Sequence, residues 1–90
     1  MYVTSAKLTF LILHSTSLKA KRQVRRSLID KTRHRFNVSI AEVDTQDAHQ
    51  RLTIGIAVVS GEDTHAQNVL EEIIHFMEEH ADAELIKIEV

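Results

Sequence analysis

The chain of 90 residues contains no cysteine. Disulfides and thiolate metal sites are therefore excluded, and a reducing compartment is allowed. Proline is also absent, and nothing reads as a repeat, a low-complexity tract or a linker. One domain over residues 1–90 is the expectation at this length. No apolar run approaches the ~18 residues of a membrane span. Lys7 interrupts the apolar N-terminal segment, so we expect neither a signal peptide nor a membrane contact, and take the cytoplasm as the setting. Tryptophan is missing, and the aromatics are Tyr2, Phe10, Phe36 and Phe76. The core must therefore come from Ile, Leu, Val and Ala. Hydrophobic residues make up 43% of the chain, enough for one core and well above the disordered range. A core this small leaves the stability modest, so a homodimer would help.

Net charge is only −2, but it is unevenly distributed. Lys19 to Arg35 holds eight bases against Asp30 alone, a local +7. Gly61 to Val90 holds nine acids against Lys87 alone, a local −8. This asymmetry is the most unusual feature of the sequence.

Residues Tyr2 to Leu13 alternate, with Ala6, Leu8, Phe10 and Ile12 on one side, which is the period of a strand. Ser17 stands where an N-cap belongs, because its hydroxyl accepts a free amide of the first turn. From Leu18 to Phe36 the spacing turns helical, with a stripe of Leu18, Val24, Leu28, Ile29, Thr32 and Phe36. Asn37 is the expected stop, since asparagine tolerates a left-handed backbone. Val38–Gln46 and Arg51–Ser60 read as two strands joined by a polar turn. Thr64 and Gln67 have capping-box spacing. A second helical stripe of Ala66, Val69, Leu70, Ile73, Ile74 and Met77 runs to about His80. A last strand spans Glu84 to Val90.

Strand, helix, strand, strand, helix, strand is the order of a ferredoxin-like α/β (α+β) two-layer sandwich, βαββαβ. Right-handed crossovers put both helices on one face of a four-stranded antiparallel sheet. The open face is then expected to carry Leu11, Leu13, Val38, Ile40, Ala57 and Leu85, apolar enough to invite a partner.

Three groups of residues bear on function. On the first helix, Lys19, Arg22, Arg26 and Arg33 share one face. With Lys21 and the more distant Arg51 they form a candidate nucleic-acid surface that tracks phosphates. The competing reading is compensation by Glu71, Glu72, Glu78 and Glu79 on the second helix, with little energy in exposed pairs. No aromatics interleave with the bases, so stacking on single-stranded bases is not supported, and any RNA contact would read backbone or shape. The second group is Glu42, Asp44, Gln46, Asp47, His49 and Arg51. Glu42 and Asp44 are expected on one strand face, with Arg51 near Asp44 or Gln46. A hairpin-end salt bridge accounts for these residues more simply than acid–base chemistry. The third group is the histidines, His14, His34, His49, His65, His75 and His80, which show no close ligand pair on one helical face. No triad, Walker motif or dinucleotide fingerprint is present, and the Ser15-Thr16-Ser17 loop lacks the glycine of a phosphate cradle. We therefore expect no enzyme, no catalytic residues, no metal, no cofactor and no small-molecule substrate.

The block Ser17–Arg22 (Ser-Leu-Lys-Ala-Lys-Arg), the block Arg35–Arg51 (RFNVSIAEVDTQDAHQR), their separation, and Gly55-Ile-Ala after them together resemble the YlxP-like family of small bacterial proteins. The resemblance covers nearly the whole chain. It implies a ferredoxin-like fold and no defined reaction. Ser17, Asn37, Glu42, Asp44, Gln46 and Asp47 fall in its motif blocks and so mark a family surface. Genes of the family often lie among those for translation initiation and ribosome maturation, which implies an RNA-related role by association, and ribosomal RNA or a ribosomal subunit is the expected partner. Most relatives carry an apolar residue where this chain has Arg25, so this helix is more basic than the family's. The leading expectation is an RNA- or ribosome-contacting accessory factor. The alternative is a protein–protein module, a homodimer or docking domain, that uses the open sheet face.

Overall fold

A computed structural model describes all residues, 1–90. The elements are β1 (Tyr2–Leu11), α1 (Leu18–Arg35), β2 (Ser39–Glu42), β3 (Arg51–Ser60), α2 (Asp63–His80) and β4 (Glu84–Glu89). The sheet order is β2-β3-β1-β4, with every neighbouring pair antiparallel. This is the ferredoxin-like α+β sandwich expected from the element order.

Period-two burial organises the centre of the sheet. Ala6, Leu8, Phe10 and Ile12 are buried from the β1 side, and Leu52, Ile54, Ile56 and Val58 from β3. Their cross-strand partners, such as Leu8 with Ile54 and Phe10 with Leu52, project to the same face. The helices close that face with Val24 and Leu28 of α1 and with Leu70, Ile73 and Met77 of α2. A fully buried side chain such as Phe10 contributes about 1.5–3 kcal/mol.

Local chemistry sets the helix ends. Ser17 Oγ accepts the Ala20 N–H at 3.1 Å, the expected N-cap. Helix α1 ends at Phe36, whose backbone is extended at φ −130° and whose ring meets Phe76 edge-on at 5.4 Å. Asn37 is therefore not a left-handed stop; the chain's single non-glycine residue with positive φ is Asp44, at 67°. The Thr64–Gln67 capping box does not form either. Helix α2 begins two residues earlier, at Asp63, with Glu62 as an N-cap that makes no side-chain bond. The Asp63 charge lies in the first turn, where it favours the helix dipole.

Strand β2 stops at Glu42, well short of Gln46. The left-handed Asp44 turns the chain out of the ladder, and the Thr45 hydroxyl takes over by accepting the Thr53 N–H at 2.8 Å.

The open face carries different apolar residues from those expected, among them Val3 and Val59, which stand opposite each other and are exposed. Leu11 and Ala57 lie on it, but Ile40 is buried on the helix side, because it pairs with Ile56. Val38 and Leu85 pack against the same core. A register shift in the β1–β4 ladder skips Ile86, so Leu85 pairs with Phe10 and turns inward. Across the open face Lys7 instead reaches Asp44 at 2.9 Å and Glu89 at 4.0 Å. The hydrogen bond from Lys7 to Asp44, followed by the charges of Asp44 and Glu89, raises the Lys7 pKa above its ordinary value.

Candidate nucleic-acid interface

Helix α1 buries one stripe, Lys21, Val24, Leu28 and Thr32, at spacings of three and four. Everything about its outer face follows from that choice. Lys19, Arg22, Arg26, Lys31, Arg33 and Arg35 are left exposed. From Lys19 to Arg33 the row spans about 21 Å at 1.5 Å per residue. Lys19, Arg22, Arg26, Lys31 and Arg35 make no salt bridge, and no ion pair joins α1 to α2. Among the α2 acids, Glu79 pairs with His75 of its own helix at 3.0 Å, and Glu72 and Glu79 border one depression with Arg35 without pairing to it. Arg33 is partly engaged, since its Nη2 donates to the Ile40 carbonyl at 3.0 Å. This bond fastens α1 to β2 and occupies an acceptor on an edge strand.

Lys21 does not belong to this row. Its side chain is 1% exposed, and its Nζ lies 2.7 Å from Glu42 Oε2 and donates to the Thr45 carbonyl as well. Phosphate cannot reach it. Arg25 Nη1 approaches the other oxygen, Glu42 Oε1, at 3.1 Å, and the Thr45 hydroxyl donates to Oε2 at 3.1 Å. Burial by itself would raise the Glu42 pKa. Hydrogen bonds from Lys21, Arg25 and Thr45, with the Lys21 charge, outweigh burial and hold the carboxyl below its ordinary value. Two cations on one carboxylate thus tie α1 to the end of β2 and to the loop that follows.

Sequence reading missed this cluster, although the signal was present. Lys21 precedes Val24 and Leu28 by three and seven positions and so falls on the buried stripe. Glu42 lies two residues beyond Ile40 and so shares its face. Placing Ile40 on the open face concealed both.

Glu42 and Asp44 therefore do not share a face. Glu42 is buried under α1, while Asp44, after its left-handed turn, bonds Lys7 on the opposite side of the sheet. Asn37, Gln46, Asp47 and His49 are exposed, and the partly buried Ser17 caps α1. Arg51 makes no salt bridge to Asp44 and no hydrogen bond to Gln46. It starts β3 opposite Leu11 and lines a shallow depression with Ser15, Thr16, Ala48, His49 and Gln50. That depression adjoins the loop leading into α1, so Arg51 lies toward the Lys19 end of the basic row. Of the six proposed phosphate contacts, then, five remain accessible and one is internal. Glu42 and His49 do not converge on a common point: the carboxylate is enclosed by cations and the imidazole is in solvent. No helix is long and apolar enough to cross a membrane.

Residues 3–90 match the family model described as "Protein of unknown function (DUF503)". The chain is 34% identical over 74 residues to the "Uncharacterized protein YlxP" of Bacillus subtilis (strain 168), covering 82% of this chain and 80% of that protein. A family match over nearly the full length, with a relative at this identity, shows that the chain belongs to the DUF503 family.

Proposed function

We propose that this protein is a non-enzymatic accessory factor that contacts structured RNA, in ribosomal RNA or a ribosomal subunit, through the outer face of α1. The observation that carries the reading is that five bases of α1 stand exposed without an acidic partner, although an acidic helix lies beside them. Phosphate would neutralise them. Phe36, the aromatic nearest the row, is half-buried against Phe76, so the contact is to backbone and helix shape and not to stacked bases. The gene company implied by the YlxP-like resemblance points the same way, and a cytoplasmic setting is part of the proposal.

Each phosphate neutralised releases counterions, so the logarithm of affinity should fall by about 0.7–0.9 per contact for each decade of salt. The test is binding of purified protein to ribosomal RNA and isolated subunits across a salt series, with the Arg22→Glu/Arg26→Glu variant alongside. Binding that weakens with salt and disappears in the variant is expected. Absence of binding at low salt, or binding indifferent to salt and to the variant, refutes the proposal.

A further inference from the structure

The two edges of the sheet are treated differently. At the β2 edge, Arg33 of α1 occupies the Ile40 carbonyl. At the β4 edge nothing does so. The helices pack on β1, β3 and β2, and Ile86, Ile88 and Val90 remain 41, 48 and 92% exposed. An uncovered edge strand carries a row of free N–H and C=O groups, ready to pair with another strand.

The side chains of β4 define what that other strand would be. Lys87 and Glu89 pair with Thr9 and Lys7 and so project to the open face, whereas Ile88 pairs with Leu8 and projects to the helix face. An antiparallel copy of β4 with Ile88 opposite Ile88 places Lys87 opposite Glu89 of the second copy, and Glu89 opposite Lys87 of the second copy. Both charge pairs fall on one face and the isoleucine pair on the other. Ile86 and Val90 then meet at the two ends. This register is self-complementary in charge and in hydrophobicity, and it closes under a two-fold axis. Moving the two-fold axis by half a residue, so that Lys87 faces Ile88, breaks both matches; moving it by a full residue puts Lys87 against Lys87.

We infer that β4 is a homodimerisation edge. It joins two copies into one eight-stranded antiparallel sheet, centred on the Ile88 pair with reciprocal Lys87–Glu89 contacts. The inference does not rest on the RNA reading. Helix α1 lies beside β2, at the far edge of each sheet, and stays uncovered in the dimer, so neither proposal falls with the other. Five residues per copy make a small interface, at the weak end of specific association. The exposed charge pairs add little affinity and serve chiefly to fix the register. Within one chain Lys87 already lies 3.4 Å from Glu89, so the second copy re-partners charges that are held in place.

The test is sedimentation velocity on the full chain from low micromolar to about 1 mM, where even a weak association is half-formed. Three variants accompany the wild type: Lys87→Glu, Ile88→Lys and Lys87→Glu/Glu89→Lys. Circular dichroism checks that each is folded, which the exposure of these positions favours. The wild type should dimerise reversibly. Lys87→Glu, which sets glutamates against each other, and Ile88→Lys should each weaken the dimer at least tenfold. The charge-swapped double variant should restore it to within a few-fold. A wild type that stays monomeric to 1 mM, a dimer indifferent to Lys87→Glu, or a double variant that fails to recover overturns the inference.

Discussion

Replacing Glu42 by alanine tests the internal architecture most directly. The side chain is 4% exposed and the Lys21 side chain it faces is 1% exposed, with the charged atoms 2.7 Å apart. Removing the carboxylate leaves a buried ammonium with only the Thr45 carbonyl as acceptor. Breaking a buried pair from one side costs about 3–5 kcal/mol. Arg25, 30% exposed, can turn to water and adds little to this figure. A chain of this size has a total stability of about 5–13 kcal/mol. The variant should therefore lose about a quarter or more of it, with a melting temperature lower by about 12 °C or more. Lys21→Met/Glu42→Leu removes both charges at similar volume. It should fall within about 2 kcal/mol of wild type, the residue being the Thr45 carbonyl that loses its donor. Urea unfolding followed by circular dichroism, as a double-mutant cycle, gives the coupling. The pH dependence supplies a second reading. An unfolded Glu42 titrates near 4.5 and the folded one lower, so its contribution is fully present above pH 4.5. It is lost as the pH falls through the folded value. The wild type should show this acid loss, and both variants should lack that component. A Glu42→Ala cost below about 1 kcal/mol, or a double variant as unstable as the single, would refute the reasoning.

Two further outcomes follow from local geometry. Ser17→Ala removes the acceptor of the Ala20 N–H and should cost about 1 kcal/mol, whereas Ser17→Gly should cost only a few tenths, as urea midpoints will show. Asp44→Ala and Asp44→Gly both delete the Lys7 contact, but only alanine keeps a Cβ at φ 67°. Alanine should therefore be less stable than glycine by about 1 kcal/mol in the same assay, and equal stabilities would mean the left-handed turn is not retained.

Much of the fold was legible because its signals are local. Alternation in Ala6–Ile12 and Leu52–Val58 reports a sheet with one buried face, and the stripe Ala66–Met77 reports one helix face. The Ser17 cap needs only its own hydroxyl and an amide three residues on. What failed depended on partners far along the chain. The parity of Ile40 and Glu42 is set by pairing with Ile56 and Ile54, and that of Leu85 by a register shift against β1. Alternation within a short strand does not say which face is buried.

By itself, then, the sequence determined the order of the elements, the extent of β3 and α2 almost to the residue, and the concentration of positive charge on α1. Each of these depends on neighbours within a few turns or residues. Only the tertiary structure decided which of those charges are free. Burial withdraws Lys21 and half-withdraws Arg25 because a single carboxylate, 21 and 17 residues away, is carried under α1 by β2, while the α2 acids form no ion pair with the remaining bases. Exposure of a charge is a property of the packed surface, and it is settled when β2 docks against β3.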